Sequence, residues 1–414
     1  MTRRQGLAAI GGALWLAGCR SRYPTESWDF GTTFAREFPR AASILEAAER
    51  YRLQILVSEV VPGPRGKARL RRHGYRVGAE YFYPASSIKL AAAVAALEEI
   101  EALQARHQTS DLLDAPMEIE ALFEGDTPQR ADPADDEGGG GGSVPITVGR
   151  ELRKLALVSD NQAFNRLFDL VGHEALNRRM HALGLSSAVI NHRLSEPRTI
   201  PNGLASAAVT LRPSKGPEVR IPARTSPSLW MNRCGGCRIG DAYVQGDTVV
   251  TGPMDFERRN GISLVDLQDL LVKLARPEID LGTPGLVVSP GHRRFLLRAM
   301  TQYPRESDDP RYSAATYPDA YAKFLLPGVR RLLPGASPGE RVEITNKIGR
   351  AYGFSVENAY LHHPRRGRSL FVSAVMYTNA DGVLNDDRYE YETVADGFLA
   401  DLGEWVTRRW LVPN

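Results

Sequence analysis

The sequence is short of cysteine and histidine, and its charges nearly cancel. Its 414 residues include three cysteines and eight histidines, with a formal net charge of +3. Each shortage excludes something. Three thiols cannot staple a disulfide-built scaffold. Cys234 and Cys237 form one C-x-x-C pair with no histidine near it in sequence, only half the ligand set of a structural zinc. No metal and no other cofactor is expected. A thioredoxin-like use of the pair would need a βαβ context, which the surrounding sequence lacks. The near-neutral charge gives no footing for nucleic acid or for a strongly acidic partner. No internal stretch is apolar for long enough to span a bilayer.

What is present suits a large folded chain. Hydrophobic residues make up 43% and charged residues 24%, ordinary values for a globular protein. The first residues stand apart. Arg3 and Arg4 precede a short apolar run, Leu7 to Trp15. Leu16-Ala17-Gly18-Cys19 then resembles a bacterial lipobox, which implies cleavage before Cys19 and lipid on its thiol. Arg20, in place of Asp, implies sorting to the outer membrane. Residues 1–18 are then a signal peptide, 19–33 a tether and 34–412 one folded domain on the periplasmic side of the cell envelope. In that oxidising compartment Cys234 and Cys237 have only each other, and a local disulfide is expected ahead of free thiols or a metal site.

Within the domain, apolar spacing predicts a helix over 40–51 and a strand over 53–61. A strand-like run, 75–83, ends at Pro84, and an alanine-rich run, 90–103, reads as a buried helix. Residues 124–145 hold an acidic run and five successive glycines, which cannot pack a core; they read as a flexible insertion. Two apolar helices follow, capped by Thr147 and stopped by Gly172, with Ser159-Asp160-Asn161 on the turn between them. Residues 202–260 are rich in Pro, Arg, Ser and Gly and read as an irregular insertion with short hairpins such as 242–251. Ser263 caps a further helix, and Asp266 would complete its capping box. Three strands near 341–347, 356–361 and 370–377 and a final helix, 393–410, close the chain. The expected fold is α/β (α+β): one antiparallel sheet from the N- and C-terminal segments, with a mostly helical lobe inserted.

Three short stretches carry chemistry. Ser86 and Lys89 fall three residues apart at a helix start, on one face. A serine needs a base within reach, and a lysine serves if burial lowers its pKa. The helix start also offers free N–H groups for an oxyanion. Taken alone, Ser86 reads better as a plain N-cap than as a nucleophile. Ser159-Asp160-Asn161 and Lys347-Ile348-Gly349-Arg350 follow in order.

Together these resemble the S-x-x-K, S-D-N and K-T-G motifs of class A β-lactamases and penicillin-binding proteins, over roughly residues 40–410. The resemblance implies a β-lactamase-like serine hydrolase. Ser86 would attack a carbonyl, Lys89 would take its proton and Ser159 would relay one to the leaving nitrogen. Asn161 would hold the substrate amide, and Lys347 its carboxylate. Backbone N–H groups of Ser86 and Arg350, beside Gly349, would form the oxyanion hole. Two departures matter. Ile348 replaces a hydroxyl residue, and Arg350 either compensates or crowds the site. Glu196-Pro197 is the best match to the deacylating glutamate stretch, but the Leu and Asn that should follow are missing. Three readings follow: hydrolysis of a β-lactam or related amide or ester; a peptidase on cell-wall peptides that β-lactams acylate without turnover; and an inactive binding lipoprotein. The expected partners are a small-molecule or cell-wall peptide substrate and, through Cys19, a membrane. A monomer is expected.

Overall fold

The structure, a computed structural model, describes residues 26–27, 30–134, 142–196, 198–233, 235–337 and 340–413. The expected signal peptide, Cys19, Cys234 and Pro197 lie outside the described residues. No helix among those described is long and apolar enough to cross a membrane.

One seven-stranded sheet runs through the molecule. Its strands are β1 (Glu26–Ser27), β2 (Gln54–Pro62), β3 (Ala68–Tyr75), β4 (Glu343–Asn346), β5 (Gly349–Ala351), β6 (Phe354–His363) and β7 (Arg368–Tyr377). The order is β1-β3-β2-β7-β6, with both β4 and β5 on the far side of β6. All pairings are antiparallel except the short β1–β3 edge. Both termini therefore feed one sheet, as expected, and the helical lobe is threaded between them.

The strands show why the sheet is buried on both faces. In β7, Phe371 and Val375 pack toward the lobe, whereas Leu370, Val372, Ala374 and Met376 pack toward the terminal helices. That is the period of two that a pleated strand imposes. The terminal layer holds helices Phe30–Glu37 and Asp396–Val406. On the lobe side the helix Lys89–His107 is buried nearly all round its first half, from Leu90 to Leu97, so it is a core helix rather than a surface one.

Four expectations change. The tether cannot reach residue 33, because Phe30 and Phe34 are fully buried and stack on each other with ring centroids 4.9 Å apart. Phe30, Phe34 and Phe38 recur at helical spacing, a signal masked by the poor helix formers Gly31-Thr32-Thr33. The strand expected over 75–83 ends where it was to begin. Arg76 and Gly78 take left-handed backbone angles, and the Gln54 side chain bonds Gly78 N and Glu80 O at 2.8 Å each in place of a ladder. The acidic insertion is not all loop. Residues Ala131–Pro133 pair with Ser143–Pro145, and Asp132 accepts from Lys154 and Arg166. Finally, Ser263 does cap its helix, but its own N–H donates to Ser187 Oγ, and Asp266 accepts from Ser187 as well.

Candidate active site

The chain enters the lobe through a single tight turn. Pro84 leads into a 3-10 turn, Ala85–Ile88, which runs directly into the helix Lys89–His107. Pro84 holds the N-cap position, and the hydroxyl that bonds back to its carbonyl is that of Ser87, at 2.7 Å. Ser86 is therefore not the cap. Ala85 sits at φ 48°, an unfavourable conformation for a residue with a Cβ, of the kind that gathers at functional turns. Ser86 lines a cleft of about 1000 Å³.

The two helices Val148–Leu157 and Asn161–Val171 bring the second group. Asp160 caps the second helix by accepting from Ala163 N at 2.7 Å, so it is a structural residue. That cap holds Ser159 at φ 60° and turns its polar atoms toward Lys89. Lys89 Nζ donates to the Ser159 carbonyl, to Asn161 Oδ1 at 2.6 Å and to Ser159 Oγ at 3.3 Å. Lys89 is fully buried, and burial lowers its pKa from 10.5 to about 7.

The sheet supplies the third group. Lys347 joins β4 to β5, and its N–H bonds to Asn358 O of β6 at 3.0 Å. Its Nζ donates to Ser159 Oγ at 2.7 Å and to Ile348 O at 3.0 Å. Burial, and then the charge of Lys89, push the Lys347 pKa well below its usual value. Two buried lysine amines thus converge on one serine hydroxyl. Next along the strand, a Cβ on Gly349 would lie 2.3 Å from Pro84 O and 2.9 Å from Ser86 N. Only glycine lets β5 press against the Ser86 turn.

The departures resolve into geometry. Ile348 points the other way, into the apolar cluster beneath the terminal helices. Arg350 pairs with Asp396 and lies over the rings of Phe324 and Tyr391, at 4.4 and 4.8 Å. Its guanidinium is held at the cleft wall by those partners. Only its backbone is left for the oxyanion role that the resemblance implied.

Glu196 also lines the cleft, and burial raises its pKa. Its carboxylate reaches Asn165 Nδ2 at 3.4 Å. The residue that meets Asn161 is its neighbour: Asn161 Nδ2 donates to Ser195 Oγ at 2.7 Å. Ser195 stands at φ 53°. Sequence reasoning missed it because the glutamate was the residue sought. The preceding Arg193 is buried and paired with Asp169, which fixes the base of this loop. The other wall came from no motif. Tyr83, His192, Phe256 and Tyr352 pack there, with Tyr83 stacked parallel to His192 and set edge-on to Tyr352 at 5.2 Å. Of the cysteine pair, Cys237 is buried behind that wall.

Comparison with known proteins gives three findings. The model of the beta-lactamase enzyme family matches residues 75–409. No curated protein matches the chain. Solved structures similar to it include a beta-lactamase from Streptosporangium roseum, at 16% identity and a TM-score of 0.48, covering 91% of this chain and 98% of that one. Another is a beta-lactamase from Burkholderia vietnamiensis, at 15% identity and a TM-score of 0.48, covering 94% and 100%. A class A beta-lactamase from Clostridium kluyveri has 14% identity and a TM-score of 0.46, covering 88% and 96%.

Proposed function

The chain belongs to the beta-lactamase enzyme family, and from that premise we propose that it is a serine hydrolase working through an acyl-enzyme on Ser86. The substrate class is a β-lactam or a related amide or ester carrying a carboxylate. The observation that carries the reading is the meeting of Lys89 and Lys347 on Ser159 Oγ, beside the Ser86 turn.

Each step follows from a stated group. Ser86 Oγ adds to the carbonyl carbon, and its proton passes to Lys89 Nζ, which burial leaves about half neutral near pH 7. The oxyanion rests on the N–H groups of Ser86 and Arg350, held together by the close approach of Gly349. The C–N or C–O bond then breaks, and Ser159 Oγ hands a proton from the lysines to the leaving atom. Lys347 holds the substrate carboxylate, and Asn161 steadies Lys89 while facing the substrate amide. Water finally cleaves the ester.

One observation favours a second reading for that last step. Ser195, which has no basic group, occupies the place against Asn161, and Glu196 turns to Asn165. Slow deacylation, as in a peptidase that β-lactams acylate without turnover, fits this better than rapid hydrolysis. Anchorage at the outer membrane through Cys19 is supported by the sequence Leu16-Ala17-Gly18-Cys19.

The test is incubation with a chromogenic cephalosporin, followed by colour release and intact mass. A covalent adduct or turnover that Ser86→Ala abolishes supports the proposal. Folded wild-type protein showing neither would refute it. Adduct that outlasts colour release separates slow from rapid deacylation.

A further inference from the structure

The cleft is lined by several arginines, and most are already neutralised. Arg193 pairs with Asp169, Arg198 with Asp126 and Arg350 with Asp396. Arg259 differs. Among the described residues neither it nor the exposed Arg258 takes part in an ion pair, and of the two it is Arg259 that is set against the aromatic wall. Its Nη1 donates to Tyr352 Oη at 3.3 Å, and its Nε is buried without a hydrogen-bond partner. The guanidinium lies over Phe256 and Tyr352, 5.7 and 5.5 Å from the ring centroids. Aromatic faces orient such a group but leave its N–H donors unspent. A guanidinium with free donors at a cleft wall matches a carboxylate better than any other common substrate group.

Its position is fixed, not floppy. The next residue, Asn260, is fully buried and ties the insertion to the body. Its side chain accepts from Asn191 N at 2.8 Å, and its carbonyl accepts from Tyr81 Oη at 2.8 Å. The direction is fixed too. From Gly349 the strand β5 runs to Ala351, and Tyr352 follows. At about 3.3 Å per residue the strand carries this edge roughly 7 Å beyond Gly349, and Tyr352 opens the tight turn there at φ 53°. A substrate with its carbonyl at Ser86 and its carboxylate at Lys347 would send its acyl side chain along that edge, toward Tyr352 and Arg259.

We propose that Arg259 is a second anion-binding residue of this cleft, taking a carboxylate carried on the acyl side chain of the substrate. Residues 202–260 thereby gain a role: they deliver one fixed cation to the far end of the groove. The preferred acyl donor has two carboxylates, one beside the bond that breaks and one several bonds away on the acyl side. The proposal rests on acylation of Ser86.

Two penicillins that differ by a side-chain carboxylate provide the test: carbenicillin, which has it, and benzylpenicillin, which does not. The second-order rate of adduct formation is measured by intact mass for wild type, Arg259→Ala and Arg259→Lys. In Arg259→Ala the carbenicillin-to-benzylpenicillin ratio should fall about tenfold, the loss expected for a charged hydrogen bond. Arg259→Lys should recover part of the ratio. An unchanged ratio, or an equal fall for both penicillins, overturns the proposal while leaving Ser86 acylation standing. Absence of any adduct on wild type would refute the acylation reading itself, and this inference with it.

Discussion

The floor of the cleft and its rim are built on opposite principles. The floor is Ser86, Lys89, Ser159, Asn161 and Lys347, set on helix starts, the turn between two helices and one edge of the sheet, and closed by hydrogen bonds. The rim is Ser195, Glu196 and Arg259, carried on irregular chain and fixed by scattered side-chain contacts. The floor holds what any serine acyl transfer needs. On the proposed mechanism, the rim would decide which acyl group enters and how long the ester survives. The difference teaches that family membership speaks to the floor and says little of the rim.

Substitutions can break or sharpen that contrast. The largest effect belongs to the nucleophile: Ser86→Ala should abolish covalent labelling by any penicillin in intact-mass measurement. Lys89→Met should slow acylation by about 10² to 10⁴, the usual worth of a positioned base, while the protein stays folded by circular dichroism. Gly349→Ala should cost about a hundredfold or more in acylation rate, because its Cβ forces β5 off the oxyanion turn. On the rim, effects should be smaller and selective. Glu196→Gln should leave acylation unchanged and alter adduct lifetime less than tenfold, as followed by mass against time. A large rise in lifetime would instead make Glu196 the deacylating base and overturn the slow-deacylation reading.

One support of the floor lies outside the cleft. Asp132 bonds the buried Lys154 and Arg166, on the two helices that flank Ser159, and those partners push its pKa down. Asp132→Ala would leave buried cations short of a partner and should destabilise the protein by about 3 kcal/mol in urea unfolding.

Much of the floor was legible in the sequence because regular structure carries it. Ser86 and Lys89 precede an alanine-rich core helix, Thr147 and Gly172 mark the helices around Ser159, and alternation marks the strands that hold Lys347. The rim was not legible, because its contacts join residues far apart in sequence with no period to reveal them. Ser195 beside Asn161, Gln54 holding residues 78–80 and Arg259 on Tyr352 are of this kind. Asp132 was hidden for another reason. Its acidic, glycine-rich surroundings suggest solvent, yet two buried cations claim it.

The central claim is that buried Lys89 is neutral enough to act as the base for Ser86. Its depressed pKa also sets a sign for stability. Between about pH 10.5 and 7 the unfolded lysine takes up a proton that the folded one resists, so this contribution is full above that window and is lost as pH falls through it. The most direct test is the pH dependence of the second-order acylation rate of Ser86 by benzylpenicillin. The account predicts a rate that climbs as pH rises, with a midpoint near 7, and a slope that Lys89→Met removes. A rate that stays flat down to about pH 5, or a profile that survives Lys89→Met intact, would contradict it.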